Sequence, residues 1–388
     1  MVGSTGHRLP GSAIAGGFLG FFVSGAVISL YGPSAPAFRR IFEVTELTSG
    51  LPASVHPLLA FAGVLSWVWV VGRVGPGPSL SAGMVVLSCG AIGVALAPSM
   101  PAVLGAVILI GAGFGVLANG MNTVFPRDSH PRTAVRVGWM HGAFGAGAVL
   151  LPLVFSLLGH RTAFLLVGVL GFAAVPLLRT TSGPTATTLV AAPPRTSRRT
   201  LIWFGLLFAT YVGMEAATHT WMATYIEFRG ATERAAAQWT SGYWLLFTIG
   251  RFVFAPLLGR VAPGRLVRMV LPVVVALLLL ATIPAAAPYA MAAAGLAMAP
   301  IFPAGMVWLA RALPGAGGAT TVAVLAAMAG ASVSPFLVGS LATAAGTASI
   351  PAGLVLLATG CGAVAHQVRN HVGDGQGPVA PTPPARDL

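Results

Sequence analysis

The chain consists mostly of apolar runs about twenty residues long, separated by short polar breaks or breaks that contain Gly and Pro. A helix of that length crosses the roughly 30 Å hydrocarbon core of a bilayer. The composition agrees, because 56% of the 388 residues are hydrophobic and only 7% are charged, against roughly 25% in soluble domains. The sequence therefore predicts an all-α membrane protein.

Hydropathy divides the chain into twelve spans. The stretch 179–200 is rich in Thr, Pro and Arg, which predicts a cytoplasmic linker. It separates an amino-terminal six-helix bundle, 1–178, from a carboxyl-terminal six-helix bundle, 201–369, and residues 370–388 are predicted to form a disordered tail. The predicted spans are 14–36, 51–72, 80–98, 101–125, 135–158, 162–178, 201–226, 236–258, 266–286, 288–310, 317–343 and 350–368.

Arginine placement predicts the orientation, because positive residues accumulate on the cytoplasmic side of a membrane. With an even number of spans and both termini inside, five of the 21 basic residues lie outside and Arg251 lies within a span. The remaining fifteen are cytoplasmic. We therefore predict a multi-pass protein of the cytoplasmic membrane. The outer five are Arg39, Arg40, Arg161, Arg229 and Arg234.

Two short matches indicate that the halves arose by duplication. The segment Gly72–Gly77 reads GRVGPG after the second span, and Gly259–Gly264 reads GRVAPG after the eighth. A glycine also precedes a proline by five residues in the fifth and eleventh spans, at Gly147 and Gly330. Parallel six-helix repeats place the substrate site near the midplane between the halves.

Several function classes are excluded by what the sequence lacks. The basic residues are all Arg, so no P-loop with its phosphate-binding Lys is present. No DxxxD, DxD or HExxH occurs, which leaves a membrane-embedded transferase as a distant alternative and predicts no metal or cofactor. The net charge of +13 comes from scattered Arg residues, not from a nucleic-acid-binding stripe. We expect a monomer whose partners are a small molecule, protons and membrane lipid.

Glu215 is the only one of the eight acids predicted to lie in the middle of a span. At 1.5 Å per residue from Leu201, it lies about 21 Å into the seventh span, near the midplane. A charge there costs at least about 2.5 to 3.5 kcal/mol, so desolvation favours uptake of a proton. We assign it to proton coupling or substrate binding; a structural ion pair or hydrogen bond is the alternative.

Two further residues are assigned to the coupling site. His219 follows Glu215 by four residues and shares its helix face. An imidazole there can relay a proton; the alternative is a structural histidine whose ring is hydrogen-bonded within the protein. Arg251, in the eighth span, is the candidate counter-ion of Glu215. The alternative is an Arg that locks a gate or reaches toward the interface.

Polar and aromatic side chains within spans give the candidate substrate contacts. The amides of the fourth span suit hydrogen bonds to a polar ligand, or hold helices together. His141 and His56 either face a cavity or are structural, and Trp221 offers a ring that can stack on a substrate. The assigned substrate contacts are Asn119, Asn122, His141, Trp221 and Tyr211.

Gating is assigned to residues that bend or lock helices. Pro300 and Pro303 lie inside the tenth span, where a missing N–H and a fixed φ favour a bend that can act as a hinge. Arg73 and Arg260 follow the second and eighth spans in the duplicated GRV segments, and are assigned to a cytoplasmic gate.

Four segments resemble the major facilitator superfamily, and within it the branch of fucose:proton symporters and related sugar transporters. They are YVGMEAATHTWMATY at Tyr211–Tyr225, GYWLLFTIGRFVFAPLLGR at Gly242–Arg260, GLAMAPIFPAG at Gly295–Gly305 and HGAFGAG at His141–Gly147. The resemblance implies two six-helix repeats and alternating access. That branch often carries an acid where this chain has Asn119, so the sequence departs here from the pattern that the resemblance implies, and we do not expect coupling through an amino-half carboxylate.

We therefore expect a secondary transporter of a sugar-like or other small polar solute, driven by protonation of Glu215. Proton-driven efflux of drugs or hydrophobic metabolites is the alternative within transport. A transport-fold receptor that binds without translocating is the alternative from another class.

Overall fold

The computed structural model describes residues 8–130, 132–182, 198–254, 256–257, 260–313 and 319–375. Within these ranges the regular structure is helical, with no strand. The α-helices are Gly11–Phe42, Glu46–Val74, Pro76–Leu96, Met100–Val124, Thr133–Arg179, Arg198–Phe228, Glu233–Phe254, Pro263–Leu280, Ala287–Met298, Ile301–Ala312, Ala319–Ala345 and Ile350–Val372.

These helices form the twelve predicted spans. Thr133–Arg179 holds 47 residues, too many for one crossing, and Gly159 interrupts it with φ 79° and ψ 172°, so it supplies the fifth and sixth spans. Ala287–Met298 and Ile301–Ala312 together form the tenth span, which breaks at Ala299 and Pro300. The all-α fold with twelve spans is thereby confirmed, and spans are numbered in this order below.

Each half buries its own hydrophobic core. One cluster of buried side chains draws almost wholly on the first six spans, and the other on the last six. The two bundles meet where the first span packs on the seventh, the second on the eleventh and the fifth on the eighth. These three contacts enclose the space between the halves.

Glycine packing repeats in the two halves. A side chain at Gly147 would overlap the carbonyl oxygen of Phe22, so the fifth span needs glycine to pack against the first. A side chain at Gly330 would overlap the carbonyl oxygen of Ala209, where the eleventh span meets the seventh. Because each pair is six spans from its counterpart, these contacts support the predicted duplication.

The carboxyl half continues past the predicted boundary at residue 369. Its last helix ends at Val372, and the indole N–H of Trp308 donates to the carbonyl of Gly373 at 2.9 Å. Arg268 then donates to both carboxylate oxygens of Asp374, at 2.7 and 2.8 Å. Residues 370–375 therefore pack on the bundle. The remainder of the predicted tail, 376–388, and linker residues 183–197 lie outside the described residues.

Candidate functional site

The two ends of the bundle differ in how the halves meet. We call the end that carries Gly11, Arg179, Arg198 and Val372 the linker side, and the other end the opposite side. On the opposite side, Arg40 of the first span forms ion pairs with Glu227 and Glu233 of the carboxyl half. Two hydrogen bonds there join the second span to the end of the eleventh, Leu47 N to Thr343 Oγ1 and Thr347 Oγ1 to Glu46 Oε1, each 3.0 Å.

The linker side lacks such contacts. Among the described residues, no hydrogen bond or ion pair joins the halves at that end. The nearest cross-half bond runs from Ser241 Oγ to the carbonyl of Val149, at 2.8 Å, and Ser241 lies in the half of its span nearer the opposite side. Among the described residues, the contacts that close the space between the halves therefore lie toward the opposite side.

That space contains two adjoining chambers. The linker-side chamber, about 510 Å³, reaches Met121 and Asn122 near the end of the fourth span. The inner chamber, about 250 Å³, extends toward the opposite side as far as Tyr31 and Ala53. Both volumes suit a small organic molecule. The side chains shared by the two chambers are Phe114, Phe144, Arg251 and Phe302.

Glu215 and His219 both line the inner chamber, as their spacing of four residues predicts. The imidazole of His219 is 7% exposed and packs on Trp244, with ring centroids 5.0 Å apart. Glu215 forms no ion pair with any described residue. A carboxylate in this position can exchange a proton with the water of the cavity.

Arg251 lines both chambers, and its exposed side chain also borders a pocket of about 240 Å³ between the fifth and eighth spans. Its guanidinium carbon lies 4.7 Å from the ring centroid of Phe247, within cation–π range. His141, on the facing fifth span, lines the linker-side chamber with it and packs edge-on against Phe21, with ring centroids 4.8 Å apart. The structure thus places Arg251 in the same cavity as Glu215, without an ion pair between them.

A hydrogen-bonded pair in the amino half was missed by sequence reasoning. Tyr31 Oη lies 2.7 Å from His56 Nδ1, and both residues line the inner chamber. His56 Nε2 is buried and has no partner in the described structure. The two residues are 25 apart in sequence, so no local spacing connects them. The one available signal is that each is a polar group within an apolar run.

Three assigned substrate contacts lie outside the two chambers. Asn119 donates from Nδ2 to the carbonyl of Val64 at 3.4 Å, which joins the fourth span to the second. Trp221 is fully buried and donates to the carbonyl of Pro335 at 2.9 Å. Tyr211 donates to the carbonyl of Met298 at 3.1 Å, beside the break in the tenth span. In this conformation all three join helices.

Asn122 lines the linker-side chamber, in contrast to Asn119. Its Nδ2 donates to the carbonyl of Ala118, one helical turn earlier, at 2.8 Å. The side chain is exposed to the chamber. Of the two assigned amides, Asn122 is therefore the one that a solute in the cavity can reach.

The residues assigned to gating separate into two groups. Pro300 lies at the break in the tenth span, and Pro303 lines the linker-side chamber just beyond it. Arg73 instead donates to the carbonyl of Trp69 at 2.9 Å and lies 3.6 Å above that ring. Arg260 is exposed on the turn after the eighth span. Neither Arg forms an ion pair within the described residues.

A family model decides what kind of protein this is. The model of the Major Facilitator Superfamily matches residues 17–335, most of the chain. The chain belongs to the major facilitator superfamily. A transporter is thereby indicated and an enzyme is not, as predicted. No curated protein matches the sequence.

Solved structures of other superfamily transporters share the fold. A bacterial homologue of the human lysosomal transporter Spinster, inward-facing and unoccupied, has a TM-score of 0.76 at 14% identity, over 95% of this chain and 98% of that one. The peptide transporter POT in complex with sulfate gives 0.76 at 14%, over 96% and 97%. The transporter FucP in the outward conformation gives 0.63 at 19%, over 92% and 98%.

Proposed function

We propose that this protein is a secondary active transporter that moves a small organic solute by alternating access, coupled to protons through Glu215. The observation that carries the proposal is one cavity between the halves, closed by cross-half contacts at the opposite side, extending to Asn122 near the linker side and lined by a mid-span carboxylate. A cavity of this kind exposes a bound solute to one side of the membrane at a time.

The opposite side opens only if the cross-half contacts of Arg40, Glu46 and Leu47 break. The first and seventh, second and eleventh, and fifth and eighth spans then slide or rock against each other. On the linker side, the halves must close over the chamber that Asn122 and His141 line. The hinge we propose for this closure is the break at Pro300, since a helix end can change direction there without losing further backbone hydrogen bonds.

The proton is the proposed coupling ion because Glu215 lies in the cavity rather than in lipid. A proton that crosses 100 mV supplies about 2.3 kcal/mol, roughly a fiftyfold concentration ratio. We further propose that the protein lies in the cytoplasmic membrane with the linker side inside, since most of its Arg residues are on that side. It then opens toward the cytoplasm in the conformation described here.

Efflux of hydrophobic compounds is a second candidate, favoured by one specific observation. The cavity walls are largely apolar and aromatic, with Phe21, Phe114, Phe144, Trp244 and Phe302 among the lining residues. Hydrophobic drugs bind such walls through area burial. A deletion strain with raised sensitivity to hydrophobic drugs and unchanged growth on single carbon sources would favour efflux over uptake.

The coupling proposal is tested in proteoliposomes that contain a pH-sensitive dye. Solutes from several classes, including hexoses, aromatic carboxylates and hydrophobic cations, are added outside, and internal acidification marks a solute that enters with a proton. We expect Glu215→Gln to abolish acidification and uphill accumulation while downhill exchange continues. The control is Glu43→Gln, because Glu43 caps the first span outside the cavity. Uphill accumulation by Glu215→Gln would refute the coupling role.

A further inference from the structure

The cavity carries a positive charge that forms no ion pair with any described acid. Arg251 is exposed and lines both chambers, and no acidic side chain of the described residues lies within 4.0 Å of it. Every acid of the chain except Asp387 is among those residues. A guanidinium is always charged and presents a planar set of donors that fits a carboxylate. A charge at this depth is costly unless something binds it.

The side chains around Arg251 indicate the chemical character of the part of a ligand that does not bind the guanidinium. On the linker side of it lie Phe21 and His141, and on the inner side lie Trp244 and Phe302. These rings bury an apolar body favourably. The site therefore combines one anion-binding group with aromatic walls on both sides of it.

We propose that the solute is a small organic anion with an aromatic or otherwise apolar body, whose anionic group binds Arg251 between the chambers. This inference rests on the proposed transport function and names its substrate class. It replaces the sugar-like solute expected from the sequence, because a hexose has no charge for Arg251 to bind.

The same geometry explains how the anion and the proton are coupled. Glu215 and Arg251 line one chamber, so an ionised Glu215 repels the anion and competes with it for the guanidinium. Protonation of Glu215 removes both effects, and by linkage the bound anion favours the protonated carboxyl. The other titratable groups of the chamber are Tyr31, His56 and His219. Arg251 is the permanently charged group that faces Glu215 there.

A transport signature follows from the charges. One monoanion and one proton carry no net charge, so their movement together is electroneutral. Accumulation then responds to the pH gradient, tenfold for each pH unit, and does not respond to membrane voltage. A neutral solute carried with one proton would respond to both.

Binding is tested with three probes of similar shape and different charge: 3-phenylpropionate, its neutral amide and 3-phenylpropylamine. Each is titrated against purified protein, and apparent stability is followed, since a ligand of the native state raises it. We expect stabilisation by the carboxylate and at least about tenfold weaker binding of the amide and the amine. Loss of a charge-assisted hydrogen bond is worth that factor or more.

The variants separate a charge effect from loss of fold. Arg251→Gln should weaken carboxylate binding at least about tenfold and leave the weak amide binding unchanged, while Arg251→Lys should restore part of the carboxylate affinity. The control is Arg265→Gln, since Arg265 is exposed outside both chambers. Equal binding of the amide and the carboxylate, unchanged carboxylate binding by Arg251→Gln, or no carboxylate binding to wild type would overturn the inference.

Transport of the same carboxylate, with voltage set by potassium and valinomycin, distinguishes the inference from the proposed function. Accumulation that follows the pH gradient and ignores voltage supports both. Arg251-dependent binding without transport would refute the proposed transport function and support the proposed binding site. Uphill transport of only neutral or cationic solutes would refute the inference of an anionic substrate and support the proposed transport function.

Discussion

The two halves of this protein share a scaffold and differ in the chemistry they bring to the cavity. In both, a glycine lets an inner span pack against the backbone of its neighbour, at Gly147 and Gly330. The carboxyl half then supplies the carboxyl and guanidinium groups of the cavity, Glu215 and Arg251, while the amino half supplies groups such as the hydrogen-bonded pair of Tyr31 and His56. The two halves therefore share this packing, and the acidic and guanidinium groups of the cavity lie in one of them.

The largest expected effect tests the shared scaffold. Gly147→Ala and Gly330→Ala each place a methyl group against a backbone carbonyl oxygen that cannot rotate away. Overpacking of this kind costs about 1 to 3 kcal/mol, so both variants should unfold at clearly lower temperature, by similar amounts. The control is Gly142→Ala, where a methyl group meets nothing within 4 Å. A large drop in unfolding temperature in only one of the two variants would show that the halves do not depend equally on this packing.

A smaller effect tests the difference between the halves at the cavity. Tyr31→Phe removes the hydrogen bond to His56 Nδ1, and Tyr211→Phe removes the one to the carbonyl of Met298. Each should cost about 1 kcal/mol of stability, measured by thermal unfolding. Only Tyr31 lines the inner chamber, so ligand affinity should change more with Tyr31→Phe than with Tyr211→Phe, although the Tyr211 hydroxyl lies beside Glu215. A larger change in ligand affinity with Tyr211→Phe than with Tyr31→Phe would show that Tyr31 and His56 are not part of the binding site.

The smallest effect concerns the seal between the halves. Arg40→Gln removes ion pairs to Glu227 and Glu233 across the interface, whereas the control Arg161→Gln, at an exposed position, removes no ion pair of the described residues. The paired side chains are partly exposed, so each of the two pairs is worth about 1 kcal/mol or less, at most about a fivefold population shift per pair. Spin-label distances across the opposite side should lengthen in Arg40→Gln only. An identical shift in both variants would mean that the seal lies elsewhere.

Much of the fold follows from the sequence because a bilayer permits few solutions. Length and hydropathy predict twelve spans, and the structure has them. The spacing of four between Glu215 and His219 correctly places both on one face. Spacing also shows that Trp221 points elsewhere, since six residues turn a helix by about 240° from Glu215. The helix end at Val372 could not be read from composition, because Asp374 stabilises that region through distant Arg268.

The remaining features of the site depend on packing between distant segments. Tyr211 is nearly on the face of Glu215, yet its hydroxyl reaches a carbonyl freed by the break in the tenth span. Asn119 and Asn122 are three residues apart, and only the latter lines the cavity. Tyr31 meets His56 because the first and second spans bring them together. These contacts depend on how each helix is turned about its own axis. A helix that is apolar on all sides gives no sequence signal for that orientation.

The central claim is that Glu215 is the group that gains and loses the coupling proton. Infrared difference spectroscopy of the protein in lipid, recorded between acidic and alkaline pH, detects the carbonyl stretch of a protonated carboxyl group. The chain has eight acidic side chains, so we expect one component of the titrating band, present in wild type and in the Glu43→Gln control, to be missing in Glu215→Gln. A titrating band of the same intensity in Glu215→Gln would contradict the claim.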